Sequence, residues 1–342
     1  MTSGRPAPLA VSLGDPAGVG PELIAAAWAR RTALGLPPFA VIDGAGLLSA
    51  AAERRGLAVP IARIASLAEA ARAFPDSLPV LGDADGAYTP GSPTGDGARL
   101  ARASLERGAA LALAGEASAL VTLPVAKAEL GKIGFAHPGQ TEFLASVCGL
   151  GPDAAVMMLA GPSLRAVPLT IHCPLAEVPG RLSAALIARK GRIVAEALRR
   201  DFGIASPRLA VCGLNPHAGE AGRIGREEAD IIAPAVAALV AEGIAATGPH
   251  PADALFAPRA RASYDAALAM YHDQALIPVK ALDFDEGVNV TLGLPIVRTS
   301  PDHGTAFAIA GTGAADESAT VAAIRMAAGC AARRAAACTA CA

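Results

Sequence analysis

The sequence has no run of roughly 18 consecutive apolar residues, which excludes a membrane-spanning helix even though 53% of the chain is hydrophobic. Much of that apolar content is alanine, and it reads as Ala-rich helices and buried strands. The N-terminal stretch MTSGRPAPLAVSLGDP lacks a sustained apolar core followed by a small-residue cleavage site. No secretory signal is read there, and a cytoplasmic location is the expectation. The six cysteines, Cys148, Cys173, Cys212, Cys330, Cys338 and Cys341, lack the dense, even spacing of a disulfide framework. Reduced thiols are expected, and the C-x-x-C of Cys338 and Cys341 stands in an Ala-rich tail with no second pair. Charge of one sign is missing too: the formal net charge is −2 with acids and bases interspersed, so neither nucleic acid nor a membrane surface is an expected partner. Lysine is scarce, with only Lys127, Lys132, Lys190 and Lys280.

Short apolar runs alternate with longer amphipathic or Ala-rich segments: LAVSL, PELIAAAWARR, FAVID, then a helix through Leu47 to Arg55. This rhythm predicts an α/β fold of parallel strands with crossover helices. A length of 342 residues predicts two lobes. A long helix is expected over 94–115 and a buried strand over 118–124. Further strands are expected near 156–159, 166–172, 209–214, 266–272 and 288–292, with helices over 182–200, 227–242 and 316–334. Gly82 to Pro93 reads as a surface excursion, and no repeat or low-complexity linker is visible.

In open α/β sheets ligands bind beyond the carboxyl ends of strands, so the residues after each apolar run are the ones to inspect. Three histidines stand there: His172 after VPLTI, His217 in LAVCGLNPH and His272 after AALAMY. Neutral imidazole is the commonest metal ligand, and three protein ligands with an open position is the pattern of a catalytic metal. Each histidine taken singly reads more readily as a satisfied capping or core residue than as a ligand; the three together raise the metal reading.

The first strand runs into Gly14 to Glu22, GDPAGVGPE, a turn whose amides could hold an anion or could simply join strand to helix. Its spacing is not that of a dinucleotide-binding fingerprint, and neither is that of Gly311-Thr312-Gly313. Asn215 to Glu220 reads as a fixed turn presenting His217 and Glu220. The stretch from Tyr271 to Gly304 carries His272, Asp273, Lys280, Asn289 and Arg298. Lys280 lies in an apolar segment, where an ammonium needs a partner. A lysine, an arginine and an amide can converge on a phosphate, or can be three unrelated polar groups.

Taken together, GDPAGVGPE, PGQTEFLA, LNPHAGE, YHDQ, GVNVTLGLP and RTSPDHGTA resemble the 4-hydroxythreonine-4-phosphate dehydrogenase family of vitamin B6 biosynthesis, from about Leu9 to Gly313. The resemblance implies two αβα lobes around a central cleft, like the isocitrate and isopropylmalate dehydrogenases. The implied lobes are 1–125 with 300–342, and 126–299. It implies a homodimer with the active site at the subunit interface. His172, His217 and His272 match the metal ligands, contributed across the dimer; Gln140, Thr141, Lys280, Asn289 and Arg298 match substrate-binding positions. The implied cofactors are NAD or NADP and one divalent ion, zinc, magnesium or cobalt. The implied reaction oxidises C3 of 4-phosphooxy-L-threonine and then decarboxylates it to 3-amino-2-oxopropyl phosphate. A metal that polarises the substrate hydroxyl suits that chemistry. Asp273, Asp302 and Lys280 are candidates for the general base.

One departure stands out. The family's usual G-H-T-E is Gly139-Gln140-Thr141-Glu142 here, and glutamine cannot become a cation near neutral pH. His137 lies three residues earlier. A sister dehydrogenase acting on threonate or erythronate 4-phosphate, and an inactive paralogue that binds a phosphorylated metabolite, are the competing readings.

Overall fold

The computed structural model describes residues 7–340, with the side chains of residues 152 and 338–340 left aside. Cys341, and the side chain of Cys338, therefore lie outside the described residues. The chain divides into two compact units, one running up to Pro152 and resuming at Leu294, the other Asp153–Gly293. The sequence expectation drew the divisions at 125/126 and 299/300, so residues 126–152 and 294–299 fall in the first unit. No described helix is long and apolar enough to cross a membrane.

The first unit holds β1 (Leu9–Ser12), β2 (Phe39–Ile42), β3 (Ile61–Ile64), β4 (Leu78–Leu81), β5 (Leu120–Thr122) and, from the far end of the chain, β12 (Arg298–Pro301). They lie in the order β3-β4-β2-β1-β5-β12, every neighbouring pair parallel. β1, β2, β4 and β5 are buried at every position, as strands covered on both faces must be. The helix expected over 94–115 spans Gly95–Leu113. It starts there because Thr94 is extended and its hydroxyl accepts from the Gly97 amide at 3.1 Å. One residue of that helix, Ser104, is fully buried; its Oγ accepts from the Leu13 amide at 2.9 Å and donates to the Ile42 carbonyl at 2.7 Å.

The second unit holds β6 (Val156–Ala160), β7 (Arg165–Pro168), β8 (Arg208–Cys212), β9 (Ala245–His250), β10 (Ala266–Ala269) and β11 (Val288–Leu292), in the order β11-β6-β7-β10-β8-β9. Here the expectation of parallel strands is corrected for three of them: β6 runs antiparallel to both β7 and β11. Only residues 161–164 separate β6 from β7, too few for a crossover, so a hairpin is the sole connection available. The β7, β10, β8 and β9 pairs are parallel. Helix Ala184–Arg200 is capped by Ser183, whose hydroxyl accepts from the Leu186 amide at 3.1 Å. The helix expected over 227–242 is split into a wide turn, Glu228–Ile232, and a regular helix, Ala233–Ala241, that starts with Pro234 in its first turn. The expected strands over 166–172 and 266–272 are shorter than predicted, because residues 169–172 and 270–271 are turns and 272 begins a helix, His272–Asp283.

The Ser104 hydroxyl bridges β1, β2 and the helix above them. Ser104→Ala leaves a buried amide and a buried carbonyl unpaired and is expected to cost about 1–3 kcal/mol, read as a lowered urea midpoint; an unchanged midpoint would show that the bridge contributes nothing.

Candidate active site

In the second unit the three histidines follow three strands that are neighbours in the sheet. β10 pairs with β7 on one side and β8 on the other, all parallel, so their carboxyl ends emerge along one edge. His172 lies four residues beyond β7, His272 three beyond β10 and His217 five beyond β8. The ring centroids of His172 and His272 are 6.0 Å apart. Both rings line a cavity of about 430 Å³ with Thr170, Cys173, Tyr271 and Asp273. His217 does not join them: among the described residues, no three histidine, cysteine, aspartate or glutamate side chains form a group that could hold a metal ion.

Local hydrogen bonds fix these turns. The Leu169 amide donates to the Ala269 carbonyl at 2.8 Å, and the buried Thr170 hydroxyl donates to the Met270 carbonyl at 2.8 Å. The Lys190 ammonium donates to the Leu169 carbonyl at 2.9 Å, and burial lowers its pKa. His172 itself has φ +51°, an uncommon left-handed setting for a non-glycine residue. His272 Nδ1 lies 2.7 Å from Asp273 Oδ1. A carboxylate on one ring nitrogen fixes the tautomer and leaves Nε2 free to act as a ligand, as metal-bound histidines usually arrange.

The His217 turn is stranger. His217, Ala218, Gly219, Glu220 and Ala221 all have left-handed backbones, with φ of 54, 51, 76, 43 and 56°. Four of the five carry side chains, and an L-residue in that region costs roughly 1–2 kcal/mol. Glu228, a buried carboxylate from the second unit's wide turn, offsets that cost. Its Oε1 accepts from the Leu214 and Asn215 amides at 2.8 and 2.7 Å, and its Oε2 from Asn215 Nδ2 at 3.0 Å. Asn215 Nδ2 also donates to Glu227 at 2.7 Å. His217 and Glu220 are exposed on this turn.

Lys280 and Asn289 are also in the second unit. The expectation that Lys280 sits in apolar surroundings is corrected: it is exposed. The segment is a helix, so Ala275, Leu276, Val279 and Asp283 form the buried stripe while Ile277 and Lys280 face outward. Asn289 lies on β11 opposite Leu159, and its Oδ1 is buried without a hydrogen-bond partner among the described residues. An unpaired buried acceptor is a place for a ligand's donor.

In the first unit, Arg298 on β12 is buried beside β5. Its Nε and one terminal nitrogen reach Thr122 Oγ1 at 3.0 and 2.6 Å, and the latter reaches Gln140 Oε1 at 3.3 Å. Burial pushes its pKa down to about 10, and Glu142 works against that shift. Gln140 Nε2 donates to the Leu123 carbonyl at 3.1 Å. Gln140 is thus a neutral amide held from both ends, and Thr141 follows it in the helix Gln140–Val147. Asp302, half-buried, comes directly after β12. His137 packs its ring against Phe135 and Phe143.

The glycine-rich turn after β1 does not offer the anion site that its amides suggested. The amides of Asp15, Ala17, Gly18 and Val19 donate to Pro124 O, Asp15 Oδ1, Asp15 O and Thr305 O. Asp15 and Glu22 are buried carboxyls there, and burial raises the pKa of both. Gly14 is required by packing: at φ +71° a Cβ would stand 2.8 Å from Leu123 Cβ. Sequence reasoning missed the pieces that build the site, Thr122, Lys190, Glu228 and Gln274, because each acts through a residue distant in the chain.

The sequence profile of pyridoxal phosphate biosynthetic protein PdxA matches residues 36–327. A 4-hydroxythreonine-4-phosphate dehydrogenase of Erythrobacter litoralis is 67% identical over 328 residues, covering 96% of this chain and 98% of the relative. The crystal structure of the 4-hydroxythreonine-4-phosphate dehydrogenase of Klebsiella pneumoniae superposes with a TM-score of 0.85 at 37% identity, covering 96% of this chain and 99% of that one. A terephthalate 1,2-cis-dihydrodiol dehydrogenase of Burkholderia xenovorans superposes less closely, with a TM-score of 0.63 at 28% identity over 95% of this chain and 98% of that one.

Gly219 tests the strained turn. At φ +76° an added Cβ would stand 2.5 Å from Glu228 Oε2. Gly219→Ala is expected to lower stability by about 1–3 kcal/mol, seen as a reduced melting temperature, and a melting temperature at or above that of the unmodified protein would rule the turn out as drawn.

Proposed function

This chain belongs to the pyridoxal phosphate biosynthetic protein PdxA family, and we propose that it is an oxidoreductase that converts 4-phosphooxy-L-threonine to 3-amino-2-oxopropyl phosphate and CO2. The observation that carries the reading is the row of three histidines beyond three adjacent parallel strands, one of them with Nδ1 already engaged by a carboxylate. A dehydrogenase of this family implies a nicotinamide cofactor and a divalent metal. NAD or NADP would accept the hydride; of zinc, magnesium and cobalt, the first and last suit imidazole donors while magnesium prefers oxygen, and the bound ion would lower the pKa of the substrate hydroxyl.

The residues divide the work. His172, His217 and His272 are the proposed metal ligands, and Asp273 holds the ring of His272. Gln140, Thr141, Lys280, Asn289 and Arg298 take the substrate, with Lys280 and Arg298 supplying the positive charge that a phosphate or carboxylate needs. Gln140 serves by orienting Arg298, a job that requires no charge on Gln140 itself. In the reaction, hydride leaves C3 for the nicotinamide and the hydroxyl proton goes to a base, leaving a β-keto acid. The C1–C2 bond then breaks, CO2 departs, and C2 takes up a proton. Asp273, Asp302 and Lys280 are the candidates to take the hydroxyl proton, and Asp273 also holds His272.

A homodimer is part of the proposal. Leu175 at 67% exposed stands next to the His172 turn, and Ile277 at 64% and Phe284 at 74% exposed lie on the segment that starts at His272. Such apolar groups beside the site suit the face of a second copy. That copy would also supply a third ligand within reach of His172 and His272, which the described residues of one chain do not group there.

The nearest competitor is oxidation of threonate or erythronate 4-phosphate, which the same charged residues would also bind. Turnover of purified protein with each phosphorylated acid decides between them: 4-phosphooxy-L-threonine is expected to give the higher kcat/KM, and faster turnover of the acid lacking the amino group would replace the proposed substrate. His217→Ala is expected to abolish turnover and lower bound metal while leaving circular dichroism unchanged. An undiminished rate would remove His217 from the metal site. Asp302→Asn and Lys280→Met test two of the candidate bases, since only loss of the true base should remove the acid limb of the kcat pH profile.

A further inference from the structure

We propose that Lys127 is a further substrate-binding residue, its ammonium supplying the net positive charge that Arg298 alone does not bring to the start of the helix Gln140–Val147. The inference rests on the reading of Gln140, Thr141 and Arg298 as substrate contacts, and all of these residues belong to the first unit. Of the other three lysines, Lys190 donates to the Leu169 carbonyl, Lys132 pairs with Glu129 at 2.6 Å, and Lys280 is already placed on the substrate. Lys127 is exposed and, among the described residues, makes no hydrogen bond or ion pair. It opens the short helix Lys127–Lys132, five positions after β5, and the loop between them offers the Leu123 carbonyl to Gln140 Nε2 at 3.1 Å.

Gly139 shows where the ammonium stands. A Cβ at that residue would lie 3.6 Å from Lys127 Nζ and 3.1 Å from Glu142 Oε2, so the lysine and the acid face the same glycine without pairing. Glycine there leaves the ground between them open. No side chain caps the helix at Gly139, and its first amides lie outside the helical ladder. Charge then decides what Lys127 adds. Arg298 is a buried cation, and Glu142 is near enough to favour its charged form, so the two together carry no net charge. Glu129 is taken by Lys132, and the buried Asp15 carboxyl accepts from the Ala17 and Ala126 amides. Without Lys127, an anionic group arriving at Gln140 and Thr141 would meet a neutral pair; with it, one positive charge is in surplus. The two cations differ in kind. Arg298 is held by Thr122 at 2.6 Å and Gln140 at 3.3 Å and fixes a direction, whereas Lys127 brings a compact charge on a flexible stem.

The test is steady-state kinetics of the full-length protein with 4-phosphooxy-L-threonine, together with competitive inhibition by inorganic phosphate and by L-threonine. Lys127→Met is expected to raise KM roughly 10–100-fold, the loss of one charged contact, with kcat within about twofold of the unmodified protein. Lys127→Arg keeps the cation and is expected to recover most of that loss; Lys127→Gln carries the test should the methionine variant fail to fold. Weakened inhibition by phosphate alone assigns the ammonium to the phosphate end of the substrate, and weakened inhibition by L-threonine alone assigns it to the carboxylate end. Calorimetric titration with inorganic phosphate repeats the comparison without turnover, so that failure of the proposed reaction is not mistaken for failure of this contact. A folded Lys127→Met or Lys127→Gln variant whose KM and inhibition constants stay within about twofold of the unmodified protein, while Arg298→Met raises them, overturns the inference. So does a rise in KM that Lys127→Arg repeats in full, which would mark lost packing instead of lost charge. Unchanged constants in a folded Arg298→Met variant would instead overturn the substrate reading on which the inference stands.

Discussion

Parallel pairing of β10 between β7 and β8 is the constraint on which the site depends. Parallel strands all exit at the same edge, so whatever follows three neighbouring strands must gather there. Strand spacing is about 4.8 Å, close to what two imidazoles need to approach a common point, and the 6.0 Å between the His172 and His272 rings reflects it. The residues of β10 are themselves small: Ala266, Ala267 and Ala269 are fully buried, which lets the helix His272–Asp283 pack against both β10 and β7. An alanine-rich strand thereby brings the helix start that carries His272 close to its neighbours.

What was legible in the sequence follows from locality. The α/β class, the capped helix after Thr94 and the strand-end placement of the three histidines all depend on runs of residues near each other in the chain. The helix His272–Asp283 escaped notice because Pro278 and a nearly continuous apolar stretch disguise its period, and Lys280 was misplaced with it. β9, AATGPH, carries glycine and proline where a strand usually has branched side chains. The hairpin of β6 and β7 and the left-handed turn depend on loop length and on buried partners, which no local pattern records. Gln140 and Arg298, 158 positions apart, touch only because β5 and β12 are neighbours.

Electrostatics divides the candidate residues by environment. Arg298 is buried and its pKa is pushed down to about 10, yet at that value it is still a cation at neutral pH. Its hydroxyl and amide partners, Thr122 and Gln140, are neutral, and the negative charge of Glu142 favours its charged form. Lys280 is exposed, and its ammonium is a compact charge on a long stem. The carboxyls buried behind β1, Asp15 and Glu22, have raised pKa values from the same desolvation that lowers that of Arg298, and they belong to the turn rather than to the chemistry.

The left-handed run from His217 to Ala221 limits what kinds of change this protein can accept. Branched side chains are excluded from such a backbone, and glycine, asparagine and aspartate are the residues that enter it most readily. Variation in that segment is therefore confined to a small alphabet by conformation before any demand of chemistry is applied. The turn needs Glu228 as a template, so the two segments are bound to change together: a shorter acid at 228 would release the loop, and a freer loop would have no use for a buried carboxylate.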